Sequence, residues 1–216
     1  MSDYVKFTYQ CARSDIRPFD ALAELNACRL KLLELRLIGV DSNGIGFGNV
    51  SVRDRETNNF YITGTATGGL CKLSHTDCVR IVDCDFKKNW LQYEGAAIPS
   101  SESLTHAAIY ESDPAISAAI HCHDSILWAT LVDCAPTTSK SVTYGTPQMA
   151  YEILRLFATS DVKGKKIFAM GGHESGVVTF GKNLQEAFEV LMRAGTGSTP
   201  CVKSAFQERK PSRDEG

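Results

Sequence analysis

No Cys-x-x-Cys pair occurs among the eight cysteines, Cys11, Cys28, Cys71, Cys78, Cys84, Cys122, Cys134 and Cys201, which are spread through the chain. That dispersal argues against a thiolate zinc cluster. The opening stretch MSDYVKFTYQ lacks a basic segment followed by an apolar core. A disulfide framework is therefore not expected, and the cysteines are read as reduced, small, partly buried side chains. No run approaches the roughly 20 apolar residues that a membrane span needs, and the expected location is cytoplasmic. Neither sign of charge dominates: 23 Lys and Arg stand against 25 Asp and Glu, for a net charge of -2. Broad attraction to nucleic acid or to an anionic membrane is thereby excluded, and a small-molecule or protein partner is expected. Internal repeats and low-complexity blocks are also missing.

What is there is 216 residues, 43% of them hydrophobic, enough to bury a full core. The length fits one large domain, read here as residues 1–194, with a flexible tail over 195–216 where glycine, serine, proline and charge accumulate. In DALAELNACRLKLLELRLIG, Leu22, Leu25, Leu32 and Leu35 form one helical stripe, and Gly39 supplies a stop. A glycine-rich turn, SNGIGFGN, leads into NVSVR, a polar turn and FYIT, which together read as a β-hairpin. VRIVD and the region from Trp90 to Tyr93 read as short strands, and SESLTHAAIYES as a helix opened by a serine cap and ended by Pro114. ISAAIHCH reads as a buried strand and SILWATLV as a helix. Thr146-Pro147 reads as the cap and first position of a helix that turns Ala150, Ile153, Leu154 and Phe157 inward. KIFAM and VVTF read as strands, and a last helix opens at Asn183, with Glu186 three residues on, burying Ala187, Val190 and Leu191. Strands alternating with helices, plus an early hairpin, predict an α/β fold with helices on both faces of a mixed sheet.

The end of AAIHCHDS poses the chemical question. Alternate strand residues share a face, so His121 and His123 project side by side while Cys122 points away. Two such imidazoles can share a metal ion, or they can be hydrogen-bonded residues at a strand end. A catalytic ion usually takes three protein ligands. His173, in MGGHESG after an apolar strand, is a candidate third, its alternative being a loop histidine bonded to a carbonyl. His106 falls four residues after Glu102 on one helix face and could bind metal with it, but is read as packing inward. His75, in LSHTD, is placed at the surface. Glu102 near a helix start suits the helix dipole, and beside a cation it could be a ligand or a proton carrier. GFGNVS, GTATGG and PSSE offer glycine N–H groups with Asn49, Thr65, Ser100 and Ser101, a composition suited to an anion.

In order, GNVSVR, YIT with its threonine loop, PSSES-LTHAAIY, DPAISAAIHCHDS, YGTP, GGHESGVVTFG and LQEAFEVL resemble the class II aldolase/adducin family, and within it the fuculose-phosphate aldolase-like members. The resemblance runs over roughly residues 20–194. It implies a three-layer α/β/α fold with a central mixed, mostly antiparallel sheet. It further implies that His121, His123 and His173 ligate a divalent metal, most simply Zn2+, and that Glu102 is the catalytic proton-transfer group. By the same resemblance Asn49, Thr65, Ser100 and Ser101 bind a substrate phosphate, and the protein is a homotetramer. The implied activity is reversible, metal-dependent cleavage of a phosphorylated ketose through an enediolate. A methylthioribulose-phosphate-type dehydratase, a sugar-phosphate epimerase and an adducin-like non-catalytic interaction module are the alternatives. The segment between Leu131 and Tyr144 is shorter than in the aldolases, and GTATGGL stands where relatives usually have a proline-containing loop.

Overall fold

A computed structural model describes residues 5–197, apart from 55, 56, 58 and 133. Cys201 and the expected flexible tail beyond 197 lie outside the described residues. The elements follow in the order β1 (Thr8–Arg13), α1 (Leu22–Glu34), β2 (Gly39–Val40), β3 (Gly46–Phe47), β4 (Asn49–Arg53), β5 (Phe60–Thr63), β6 (Cys78–Asp85) and β7 (Trp90–Glu94). They continue with α2 (Ser103–Ser112), β8 (Ala118–His123), α3 (Ser125–Val132), α4 (Pro147–Thr159), α5 (Val162–Lys165), β9 (Ile167–Ala169), β10 (Gly176–Gly181) and α6 (Leu184–Gly195).

Eight strands form one sheet in the order β1-β7-β6-β5-β4-β8-β10-β9, and β2 pairs with β3 as a separate two-stranded ribbon. Every pairing in the large sheet is antiparallel except β1 with β7, so it is mixed and mostly antiparallel. One face packs against α2 and α4 through Leu104, Ala108, Ile109, Met149, Ile153 and Leu156. The other packs against α1, α3 and α6 through Leu25, Leu32, Leu131, Leu184, Ala187 and Leu191. This is the expected three-layer α/β/α arrangement. Because both faces of the sheet are covered, its middle strands read as nearly continuous apolar runs, and five of the six residues of β8 are buried. Leu25 and Leu32 are fully buried, and each contributes about 2 kcal/mol through area removed from water.

Several expectations are corrected at element ends. The first helix stops at Glu34, ahead of Gly39, which belongs to β2. Its end is a Schellman arrangement in which Arg36 N–H meets Leu33 O at 3.0 Å and Leu37 N–H meets Leu32 O at 2.9 Å. Arg36 takes the left-handed conformation usually given to glycine, with φ of 58°, and Leu37 buries itself beside Leu32 as the apolar partner of that motif. Leu35, one place before the turn, is 51% exposed and falls off the stripe. No serine caps α2: its N-cap residue is Glu102, whose side chain makes no cap bond. By contrast the Thr146 cap forms, its hydroxyl accepting from Met149 N–H, and Asn183 accepts from Glu186 N–H at 2.8 Å. The glycine-rich turn closes the β2–β3 ribbon and supplies β3, and the chain ahead of α1 contributes β1, a strand with no apolar alternation.

Candidate metal centre and active site

The site lies at the C-terminal end of β8. Ala118, Ile120 and Cys122 belong to the core on the α1–α6 side, while Ala119 belongs to the α2–α4 side. Strand alternation therefore puts His121 and His123 on the face of Ala119, at the strand's open end, with Cys122 turned away. β10 runs antiparallel beside β8 with Gly176 opposite His123, and the loop just before Gly176 brings His173 in. A Cβ at Gly176 would press on the His173 ring, 2.6 Å from its Cδ2, so this glycine admits the imidazole.

One coordinating nitrogen from each of His121, His123 and His173 lies within 4.8 Å of the others. His123 Nε2 and His173 Nε2 are 3.1 Å apart. Two nitrogens bound to one tetrahedral zinc sit about 3.3 Å from each other. His121 Nε2 is buried with no hydrogen-bond partner. Burial lowers the pKa of His121 well below the usual range and, chiefly by the same cause, brings His123 to about 4 and His173 to about 3. All three are neutral bases at neutral pH. Three neutral imidazoles converging, with one nitrogen orphaned, are what a divalent cation requires, so the residues fit such an ion.

The second nitrogens of the β8 rings are also addressed. His123 Nδ1 is 3.2 Å from Ser175 Oγ, which itself donates to Glu174 O at 2.5 Å. Ser175 holds the left-handed backbone conformation, with φ of 66°. Asn49 is the cross-strand partner of His121, and its Nδ2 lies 3.3 Å from His121 Nδ1. Phe47 and Tyr144 wall the site, their ring centres 5.2 Å from that of His123 and 4.6 Å from that of His173 respectively. Lys6 sets its Nζ 3.7 Å above the Tyr144 ring.

Glu102 is 2% exposed. Its Oε2 accepts from Thr105 Oγ1 at 2.6 Å, and its Oε1 is buried without a partner. Burial raises its pKa to about 7 against the smaller opposing pull of the Thr105 hydrogen bond and Lys6. At neutral pH this carboxyl is balanced between donating and accepting a proton.

A cavity of about 350 Å3 joins these groups. It is lined by all eight residues singled out in the sequence: Asn49, Thr65, Ser100, Ser101, Glu102, His121, His123 and His173. Among the described residues, none that line it is Lys or Arg, so an anion there relies on amide and hydroxyl dipoles for attraction. Ser100 Oγ accepts from Glu102 N–H at 3.3 Å, and Thr65 N–H is taken by Ile98 O at 2.9 Å. The threonine loop is held from behind by the buried Arg29, which donates to Thr67 O at 2.6 Å and Leu70 O at 3.0 Å. Gly68 packs so closely that a Cβ would collide with Gly39 O.

His106 stays outside the cavity. It is fully buried with Nδ1 2.6 Å from Ser51 Oγ, which also bonds Tyr110 OH at 2.7 Å. His75 sits half-buried in a short helical turn, outside the cavity lining. Sequence reasoning did not single out Tyr144, Ser175, Phe47 or Arg29. Ser175 could have been found, as it lies within the glycine-bounded histidine loop already marked as unusual.

The sequence pattern of the Class II Aldolase and Adducin N-terminal domain family matches residues 41–194. No curated protein matches in a direct sequence comparison. Among solved structures the chain is similar to an L-fuculose 1-phosphate aldolase, with 22% identity, 91% of each chain covered and a TM-score of 0.65. It is similar to YgbL from Klebsiella pneumoniae, named with aldolase, epimerase and decarboxylase as alternatives, at 18% identity over 88% of this chain and 89% of that one, TM-score 0.64. A sugar-phosphate aldolase from Thermotoga maritima is 16% identical over 89% of this chain and 97% of that one, TM-score 0.64. At such identities these structures show a common fold. With the family pattern running through more than two thirds of its length, the chain belongs to the class II aldolase and adducin N-terminal domain family.

Proposed function

We propose that the protein is a metal-dependent aldehyde-lyase that reversibly cleaves a phosphorylated ketose through an enediolate. The observation that carries this reading is the convergence on one cavity of three neutral imidazoles and a buried carboxyl with a pKa of about 7. His121, His123 and His173 would hold the cation, and Zn2+ suits three nitrogen donors. When bound, it supplies several kcal/mol of stabilisation to negative charge developing on neighbouring substrate oxygens.

The chain's own residues do the rest. Thr105 ties down Glu102 Oε2 and leaves Oε1 as the atom that carries a proton to or from the reacting carbon. Asn49, Thr65, Ser100 and Ser101 anchor the phosphate near the start of α2, where the helix dipole concentrates partial positive charge. Binding at that end orients the reacting carbons. The buried walls restrict water around Glu102, which strengthens each polar interaction there. The protein works in the cytoplasm on a small phosphorylated sugar, as a homo-oligomer that family resemblance makes a tetramer.

The test is a screen of phosphorylated ketoses for aldehyde release, with and without added zinc. Zinc-dependent aldehyde release from one of them is expected. Loss of water without aldehyde would replace the reading with a dehydratase, and inversion of a stereocentre without cleavage with an epimerase. Purified protein that carries no stoichiometric metal and turns nothing over would mark an adducin-like interaction module.

A further inference from the structure

Asn49 Oδ1 and His121 Nε2 are both buried without partners, and the two side chains meet at His121 Nδ1. In the structure the amide presents Nδ2, a donor, to His121 Nδ1 at 3.3 Å. A ring that accepts there carries its hydrogen on Nε2, where no acceptor meets it, and Asn49 Oδ1 is left equally orphaned. Buried polar atoms are rarely left so, and each such pair in a native protein has a reason.

We propose that Asn49 is a positioning residue for the metal centre: its carboxamide turns Oδ1 to His121 Nδ1–H and so holds the ring in the tautomer whose Nε2 lone pair faces a cation. The half turn exchanges the two ends of the amide at little steric cost. It gives Oδ1 a donor in exchange for Nδ2, which takes the unpartnered place, and leaves His121 Nε2 aprotic, aimed at the place where the other two imidazoles converge. Sheet register enforces the pairing, because Asn49 on β4 is directly opposite His121 on β8. The adjoining ligand is arranged alike. Ser175 commits its own hydrogen to Glu174 O and keeps lone pairs for His123 Nδ1–H. Outer partners of this kind fix ring orientation and raise the basicity of the ligating nitrogen. Asn49 therefore has a role toward His121 that is separate from any contact with phosphate.

The inference rests on the metal reading, and the experiment separates the two. Zinc affinity of the full chain is measured by competition with a chelating dye, for the parent, Asn49→Ala and Asn49→Asp. Asn49→Ala should bind zinc about 10–100-fold more weakly. Asn49→Asp, whose carboxylate also accepts from Nδ1–H, should bind within about threefold of the parent or more tightly. Nitrogen-15 NMR of the metal-free parent, which needs no variant, should show the His121 hydrogen on Nδ1. Parent-like zinc affinity in Asn49→Ala, or a His121 hydrogen on Nε2 in the metal-free parent, would overturn the role of Asn49 while leaving the metal site standing. A parent that binds no zinc would overturn both.

Discussion

His123 and His173 present their Nε2 atoms to each other across 3.1 Å, although they lie 50 positions apart in the chain. One is on a central strand and the other in the loop leading into the neighbouring strand, so the sheet itself makes the pair. Replacing His173 by alanine removes a donor and leaves the β8–β10 ladder untouched. Zinc affinity should fall by more than roughly 100-fold, beyond what loss of an outer partner costs, as read by chelator competition. Parent-like affinity would show that the third imidazole is not a ligand.

Glu102→Gln keeps an oxygen for the Thr105 hydroxyl but cannot carry a proton. Turnover should drop by about 10²–10⁴-fold with zinc content unchanged. The pH dependence has a definite sign. Burial raises the folded pKa to about 7, and abstraction of a carbon-bound proton needs the carboxylate. Deuterium exchange from solvent into the ketone fragment should therefore rise as pH increases through about 7, and a flat profile there would remove Glu102 from the proton path.

His106 offers a stability test at a histidine outside the cavity. Burial lowers its pKa from 6.5 to about 3, so between those values the unfolded chain binds a proton that the folded one does not. Its stabilisation is complete above about 6.5, is lost progressively as pH falls, and is gone once pH passes the folded value. From about pH 7.5 to about pH 5 one such group costs about 2 kcal/mol. Glu102, shifted the other way, gains stability on acidification over part of this range, equally in parent and variant. Urea unfolding at both pH values should show the parent losing about 2 kcal/mol more than His106→Gln; equal losses would mean that His106 titrates normally.

Arg29 is 2% exposed and, among the described residues, no ion pair holds it. Its guanidinium is committed to carbonyls of the loop that lines the cavity. Arg29→Met should lower stability by about 3 kcal/mol, since buried carbonyls lose charged donors. The KM for a phosphorylated substrate should rise more than kcat falls, because the loop relaxes at the phosphate end. A stable variant with parent-like KM would leave Arg29 no part in holding the loop.

Much of this site could be read from sequence because its residue types are chemically restrictive and its strands are short. HCH before a loop fixes which side chains share a face, and the buried run before it allows little else. Capping chemistry was equally legible at Thr146 and Asn183, where one side-chain oxygen meets one N–H. At Glu102 local rules pointed to a serine cap. The neighbouring serines serve other bonds, and the glutamate side chain is turned to Thr105. β1 escaped notice because five of its six residues are exposed, which erases alternation. Its pairing with β7 is decided by tertiary context. Arg29 escaped for the opposite reason: in sequence it looks like a surface residue of an amphipathic helix, and only three-dimensional proximity to the Thr67–Leu70 loop explains its burial.

Strand β8 is flanked on one side by a segment far earlier in the chain and on the other by one made much later. During synthesis the pair at 121 and 123 leaves the ribosome well before β10, with one sheet edge bare and the third imidazole still untranslated. A nascent chain stalled at this stage exposes an apolar edge prone to pairing with a stranger. Under the proposed metal reading, ion capture is then a late event of biogenesis, one that marks the closing of the sheet.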